Sequence, residues 1–159
     1  MSSTIEKIRY IFSGGNVRRY HTVDIIKEET VAHHSHVVAC LVIELGGDLS
    51  TVKKALYHDL YEQTSGDLPS TLKASGFNSA QLNFMEEESN DYYGLNPVDY
   101  DYRILKIADI LSGVLKCSNE VKMGNCKCSV PRENYKSYLD KMAPFSESEN
   151  RVIEAVYKV

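Results

Sequence analysis

The sequence lacks any long apolar run and any excess of basic charge. None of its apolar stretches approaches the roughly 18 residues that a transmembrane helix needs, and residues 1–7 do not follow the charged-then-apolar order of a signal peptide. With 18 basic and 22 acidic residues the net charge is −4, which argues against a broad nucleic-acid-binding face. We therefore expect a cytoplasmic protein that binds neither a membrane nor a nucleic-acid polymer.

Cysteine is also scarce, with four residues in the chain. Cys40 and Cys117 lie in apolar helical contexts and are predicted to be buried free thiols. Cys126 and Cys128 form a lone Cys-x-Cys without a second pair. Because a structural zinc site usually takes four ligands, a solvated loop is favoured there over a zinc site. A chain of 159 residues can bury enough surface to fold without disulfides or structural metal, and we expect one domain over residues 1–159.

The apolar residues repeat with a helical period, and no two-residue hairpin signal separates alternating strands. This pattern predicts an all-α bundle of about six to seven helices. Two capping boxes, at Ser3–Glu6 and Ser146–Glu149, mark the starts of the first and last helices. Residues 16–30 are predicted to be an irregular connection or a short helix, and residues 120–130 to be mobile. The predicted helices cover residues 3–12, 31–45, 50–63, 78–93, 101–119, 131–142 and 146–157, with a short turn at 69–74.

Four polar residues fall on the core-facing sides of three of these helices. His34 shares a stripe with Val38, one turn further along. In the next helix Asp59 extends the apolar stripe and His58 lies beside it. In the helix from residue 101, Asp109 flanks the apolar stripe one turn after a leucine. Two histidines and two aspartates are therefore expected to point toward, or border, the interior.

This combination favours a metal site over the separate explanations of its members. A lone histidine on an apolar face is usually a hydrogen-bonded core residue, a lone aspartate usually forms a cap or salt bridge, and an adjacent His-Asp pair is common by chance. Burying carboxylates without partners costs roughly several kcal/mol each. A divalent cation removes that cost, and neutral imidazole with carboxylate suits Mn, Fe, Co, Ni or Zn.

Three segments resemble the motifs of HD-domain 5′-deoxynucleotidases. Residues 29–35 (Glu-Thr-Val-Ala-His-His-Ser) resemble that family's first metal-histidine motif. Residues 57–69 resemble its central motif, which reads His-Asp, Glu three residues on, then Gly-Asp-Leu-Pro. Residues 106–117 are similar to its final Ala-Asp-x-Leu…Leu-Lys-Cys helix. The likeness covers about residues 17–120, and the same HD-type fold serves short, phage-type dATP triphosphohydrolases.

The resemblance implies that His34, His58, Asp59 and Asp109 bind one divalent transition metal (Co, Mn, Zn, Ni or Fe, with Mg as a further candidate). It also implies a catalytic role for Glu62, which follows Asp59 by three residues and so would lie one turn along on the same face. A solvated position at the end of the helix is the alternative for Glu62.

Asp67 matches a second catalytic carboxylate of that family, and a cap on the following turn is its alternative role. Arg19 matches a phosphate-binding arginine, whose planar fork suits bidentate phosphate contacts; only the motif spacing selects it over Arg18. Tyr20 stands where these proteins commonly carry Trp and would stack on the base. Lys73 would neutralise phosphate charge.

The function implied is hydrolysis of the 5′ phosphoester of a deoxynucleotide. The products would be nucleoside and phosphate from a monophosphate, or nucleoside and triphosphate from a triphosphate such as dATP. The resemblance also implies a homo-oligomer. A non-catalytic HD-type module that senses nucleotide or metal is the alternative, and a helical interaction domain without metal is a third hypothesis.

Overall fold

A computed structural model describes residues 4–67, 76 and 79–159 of the chain. This part of the chain is helical without any β-strand, and seven of its eight α-helices have nine or more residues, which confirms the predicted all-α class. None of these helices is long and apolar enough to cross a membrane. The helices are α1 (Thr4–Gly15), α2 (Val31–Glu44), α3 (Leu49–Tyr57), α4 (Glu62–Ser65), α5 (Ser79–Tyr93), α6 (Tyr102–Lys122), α7 (Ser129–Asp140) and α8 (Glu147–Lys158), with a 3₁₀ helix (Cys126–Cys128) before α7.

The core is built around α6, which packs against α2, α3, α7 and α8. Val38 and Val42 of α2 meet Leu111 and Val114 of α6, and all four side chains are fully buried. Burial of each such side chain contributes about 1.5–3 kcal/mol. The apolar stripes predicted for these two helices therefore form the interface that holds the candidate site residues in place.

Side-chain caps fix where several helices begin. Thr30, Asp48 and Asp101 accept hydrogen bonds from backbone N–H groups in the first turns of α2, α3 and α6. At α8 the predicted Ser146–Glu149 capping box is present with both of its hydrogen bonds. The predicted Ser3 cap and the turn at 69–74 lie outside the described residues.

The helix predicted for residues 50–63 is wrong in its second half. Helix α3 ends at Tyr57, and a turn separates it from the short α4. In this turn Leu60 is buried against α1. A Cβ on Gly14 would lie 3.0 Å from both Leu60 Cδ2 and the Leu60 carbonyl oxygen, and one on Gly15 would lie 3.2 Å from Ala32 Cβ. Helix α1, predicted to end at residue 12, extends to Gly15, and its last two residues lack side chains where it comes close to Leu60 and Ala32.

Residues 120–130, predicted to be mobile, are joined by hydrogen bonds to distant parts of the chain. Glu120 is fully buried and accepts hydrogen bonds from the backbone N–H groups of Ile26 (2.7 Å) and Lys27 (3.0 Å). It also accepts from Lys116 Nζ (2.9 Å) and Asn125 Nδ2 (3.0 Å). The end of α6 and the connection before α2 are thereby joined around one carboxylate.

The cysteines follow the prediction in part. Cys117 is buried, and burial raises the pKa of its thiol to about 12. Cys40, predicted to be buried, is exposed because it lies on the outer face of α2. Cys128 is buried in the 3₁₀ helix rather than solvated, whereas Cys126 is exposed as expected.

Candidate metal centre

Helix α2, the end of α3 and helix α6 bring His34, His58 and Asp109 together. One ligand atom from each residue lies within 4.8 Å of the others. The Nε2 atom of His34 is 3.2 Å from Asp109 Oδ1, and the centroids of the two imidazole rings are 5.3 Å apart. His34 is fully buried. Three residues far apart in the sequence thus form one compact cluster of nitrogen and oxygen ligand atoms.

Asp59 lies against the same cluster. Its Oδ2 atom is 3.5 Å from His34 Nε2 and 3.4 Å from His58 Nε2. The same oxygen accepts a hydrogen bond from Arg19 Nη1 at 2.7 Å. One carboxylate oxygen is therefore shared between both imidazoles and a guanidinium group.

The Nδ1 atoms of the two histidines contact polar groups on the side of each ring that faces away from the cluster. His58 Nδ1 donates to the Ala55 carbonyl oxygen at 2.7 Å, so in the neutral ring Nε2 carries the lone pair. His34 Nδ1 lies 3.1 Å from the buried Ser112 hydroxyl oxygen. Among the described residues, the Nε2 atom of neither histidine finds a hydrogen-bond partner. Metal-binding histidines characteristically have one nitrogen fixed and the other turned toward the cation.

The electrostatics of the cluster also suit a cation. Burial lowers the pKa of His58 and so favours the neutral form that binds metal. Burial alone would raise the pKa of Asp59, but His58 and Arg19 outweigh it and lower that pKa. Asp109 behaves likewise: its pKa is lowered by His34 and by Lys106, whose Nζ lies 3.2 Å from Asp109 Oδ2. Neutral imidazole beside ionised carboxylate is a donor set that fits a divalent transition metal.

Arg19 lies between two carboxylates. Besides Asp59, Glu29 places its Oε2 atom 3.4 Å from Arg19 Nε. The Arg19 backbone N–H also donates to the Glu29 carbonyl oxygen at 2.9 Å, next to an antiparallel bridge between Arg18 and Thr30. The irregular connection predicted over residues 16–30 is thereby closed into a loop that presents the guanidinium to the cluster.

Tyr20 and Asp67 are joined to each other beside this loop. Tyr20 has a left-handed backbone conformation with φ of 59°, and its N–H donates to Asp67 Oδ2 at 2.8 Å. The Tyr20 ring centroid lies 5.6 Å from Arg19 Cζ.

Glu62 is fully buried, and its N–H donates to the Asp59 carbonyl oxygen at 3.0 Å. The alternative of a solvated position for Glu62 is therefore wrong. Lys73 lies outside the described residues.

Three neighbours of the cluster went unrecognised in the sequence. Ser112 and Lys106 lie three residues after and before Asp109, and this helical spacing could have indicated both. Tyr135 of α7 lies against α6 so closely that a Cβ on Gly113 would come within 2.6 Å of its ring. No local sequence pattern indicates that contact.

The sequence profile of the HD domain family matches residues 16–103, and the chain therefore belongs to the HD domain family. The match includes three of the four predicted metal ligands. No curated protein sequence matches the chain.

Three solved structures share the fold along almost the whole chain. An HD phosphohydrolase (DatZ) from cyanophage S-2L, bound to dA and one catalytic Zn²⁺ ion, is 18% identical with a TM-score of 0.67, and the match covers 99% of this chain and 96% of that one. A conserved hypothetical protein from Pyrococcus furiosus is 21% identical with a TM-score of 0.68, covering 98% and 100%. An HD-domain phosphohydrolase from Listeria innocua is 15% identical with a TM-score of 0.54, covering 96% of each chain.

Proposed function

We propose that this HD-domain chain is a divalent-metal phosphohydrolase that cleaves the 5′ phosphoester of deoxynucleotides. One observation carries the proposal: His34, His58 and the Arg19 guanidinium meet at a single oxygen, Asp59 Oδ2. A phosphate ester has anionic oxygens for both groups. The fold shared with a phosphohydrolase bound to dA and Zn²⁺ supports a deoxynucleoside as the organic part of the substrate.

His34, His58, Asp59 and Asp109 would hold the metal, which we propose to be Co, Mn, Zn, Ni or Fe, with Mg as a further candidate. When bound, such a cation lowers the pKa of a coordinated water and neutralises charge on the phosphoryl group. The protein orients the metal-binding imidazoles. The Ala55 carbonyl oxygen holds Nδ1 of His58, and the Ser112 hydroxyl group holds Nδ1 of His34.

The remaining predicted residues would handle the phosphate and the protons. Arg19 would bind phosphate oxygens through its guanidinium fork. Glu62 is buried one short turn after Asp59 and Asp67 lies beside the Tyr20 backbone, so these two carboxylates are the candidates for general acid–base catalysis. Tyr20 would contact the base, and Lys73 would add positive charge near the phosphate.

Several further properties stay predictions from the sequence. They are one domain over residues 1–159, a homo-oligomer, a cytoplasmic location, and the choice between a monophosphate and a triphosphate such as dATP.

The test combines metal analysis with a substrate panel. The purified protein is incubated with all dNMPs and dNTPs plus Mn²⁺ or Co²⁺, and phosphate is separated from triphosphate among the products. We expect release of nucleoside with one of these, and a loss of at least about 100-fold in activity and metal affinity for Asp109→Asn, since replacing a ligand should exceed the effect of an outer-shell change. Asp140→Asn, at an exposed position on α7, is the matched control.

Two outcomes would contradict the proposal. Stoichiometric metal binding without hydrolysis of any nucleotide would leave a metal- or nucleotide-sensing module. No metal binding at all would leave a helical interaction domain.

A further inference from the structure

We propose that Glu29 is a positioning residue that holds the Arg19 guanidinium in the orientation needed to bind phosphate. The inference rests on the proposed phosphate-binding role of Arg19. Glu29 is buried, with 6% of its surface exposed, and its Oε2 atom is 3.4 Å from Arg19 Nε. Arg19 itself keeps only 12% of its side chain exposed. A carboxylate is buried at this depth only when an opposite charge or hydrogen bonds stabilise it.

The two carboxylates act on different edges of the guanidinium. Glu29 lies at Nε, near the side-chain stem, and Asp59 accepts from Nη1. Because the guanidinium is planar and joined to the side chain at Nε, contacts at these two atoms restrict the orientation of the group and the direction of its outer edge. Asp59, which we propose as a metal ligand, and Glu29 share the positive charge of Arg19. Since Nη2 takes part in neither contact, the guanidinium can bind a third anion.

The ion pair between Arg19 and Glu29 lacks the hydrogen bond that would complete it. Among the described residues, neither Arg19 Nε nor Glu29 Oε2 has a hydrogen-bond partner of good geometry. The attraction between them is therefore electrostatic, and both atoms keep hydrogen-bonding capacity inside a buried site. Incomplete pairing of this kind costs stability and is found where binding groups are held ready.

The backbone of the loop does not depend on the Glu29 side chain. Arg19 N–H donates to the Glu29 carbonyl oxygen at 2.9 Å, and Val31 N–H donates to the Val17 carbonyl oxygen at 2.9 Å. Both are main-chain contacts that survive a change of side chain. The other carboxylate oxygen, Oε1, faces the exposed His33 at 3.5 Å. Removing the negative charge at Glu29 should thus release the guanidinium while the loop keeps its path.

A double-mutant cycle tests the inference on the metal-loaded protein. Glu29→Gln, Arg19→Ala and the double variant are titrated with inorganic phosphate by calorimetry, which requires no turnover. We expect Glu29→Gln to weaken phosphate binding about tenfold when Arg19 is present, a size typical of coupled neighbours, and less than about twofold when it is absent. The expected change in steady-state kinetics is a higher KM with kcat reduced less.

The matched control is Glu28→Gln. Glu28 is the neighbouring residue, but it is exposed and paired with Arg18, so its loss should leave phosphate affinity unchanged. Glu29→Asp keeps the charge on a shorter stem and should restore part of the affinity. Circular dichroism of each variant verifies that it is folded. If Glu29→Gln does not fold, Glu29→Asp replaces it in the cycle and should weaken phosphate binding by a smaller factor, again only when Arg19 is present.

Equal weakening by Glu29→Gln in both Arg19 backgrounds would overturn the inference, as would no weakening in either. These results differ from a failure of the proposed function. That failure would appear as phosphate binding without hydrolysis of any nucleotide, and the cycle would still report whether Glu29 acts through Arg19.

Discussion

Helix α6 carries two buried charged clusters that differ in how completely their polar groups are paired. Near its middle, Asp109 meets His34 and Lys106. Three turns later, Glu120 accepts four hydrogen bonds from side chains and backbone. At the first cluster the Nε2 atoms of the histidines lack hydrogen-bond partners among the described residues.

This difference distinguishes the Glu120 cluster, which stabilises the fold, from the Asp109 cluster, which is arranged to bind a cation. Buried polar groups are normally paired, so a fully paired carboxylate such as Glu120 contributes to folding. Buried ring nitrogens without hydrogen-bond partners cost free energy, and a bound cation would relieve that cost. Variants of the Glu120 cluster should therefore mainly reduce stability, and variants of the Asp109 cluster should mainly reduce metal binding.

The largest expected effect is on folding. Glu120→Ala leaves Lys116 and two backbone N–H groups buried without their acceptor, and we expect the free energy of unfolding to fall by about 3–5 kcal/mol. Urea denaturation of the metal-free protein measures it. Asp109→Asn is the comparison variant and should lower the free energy of unfolding by no more than about 1 kcal/mol, because its ion pair with the half-exposed Lys106 is screened by solvent. Similar losses for both variants would remove the distinction between the clusters.

A second variant tests the metal cluster through a residue that contacts no cation. Ser112→Ala removes the hydroxyl group behind His34 Nδ1, and we expect metal affinity to fall about 10- to 100-fold, as for other outer-shell partners of ligating histidines. Competition with a chromophoric chelator measures this change. Ser129→Ala, which removes a hydroxyl that donates to the Cys126 carbonyl at the start of α7, is the control. Unchanged metal affinity for Ser112→Ala would mean that the Ser112 hydroxyl group does not orient the His34 ring for metal binding.

The pairing of Glu120 should also appear as a pH dependence of stability. Although burial alone would raise it, hydrogen bonds from Ile26, Asn125, Lys116 and Lys27 lower the pKa of Glu120 to about 2, from an ordinary value of 4.5. A carboxyl with a lowered pKa stabilises the fold fully above its unfolded-state value and loses that contribution as the pH falls. The stability difference between the wild type and Glu120→Gln should therefore shrink as the pH falls from 4.5 toward 2. A difference that stays constant over this range would contradict the assignment.

The sequence predicted the parts of the fold that local signals determine. The period of apolar residues gave α2 and α6 within a few residues, and the Ser146–Glu149 capping box marked the start of α8. Helical phase placed His34 inside the bundle, as the structure confirms. The convergence of His34, His58 and Asp109 followed from the joint pattern and from the resemblance to HD proteins.

What the sequence missed depends on contacts between distant segments. Nothing between Tyr57 and Glu62 breaks a helix locally, and the break arises because Leu60 packs under α1. The order around Glu120 comes from residues 93 and 94 positions earlier in the chain. Tertiary packing of this kind overrides local propensity, which is a weak determinant over a few residues.

The close contact at Gly14 means that the metal cluster depends on the first helix as well as on the helices that carry its residues. Any side chain there would press on the backbone of Leu60, one residue after Asp59 and two after His58. Position 14 should therefore tolerate little variation, although it touches no proposed ligand. A random-mutagenesis screen for loss of metal binding should recover substitutions in this helix as well as in the cluster itself.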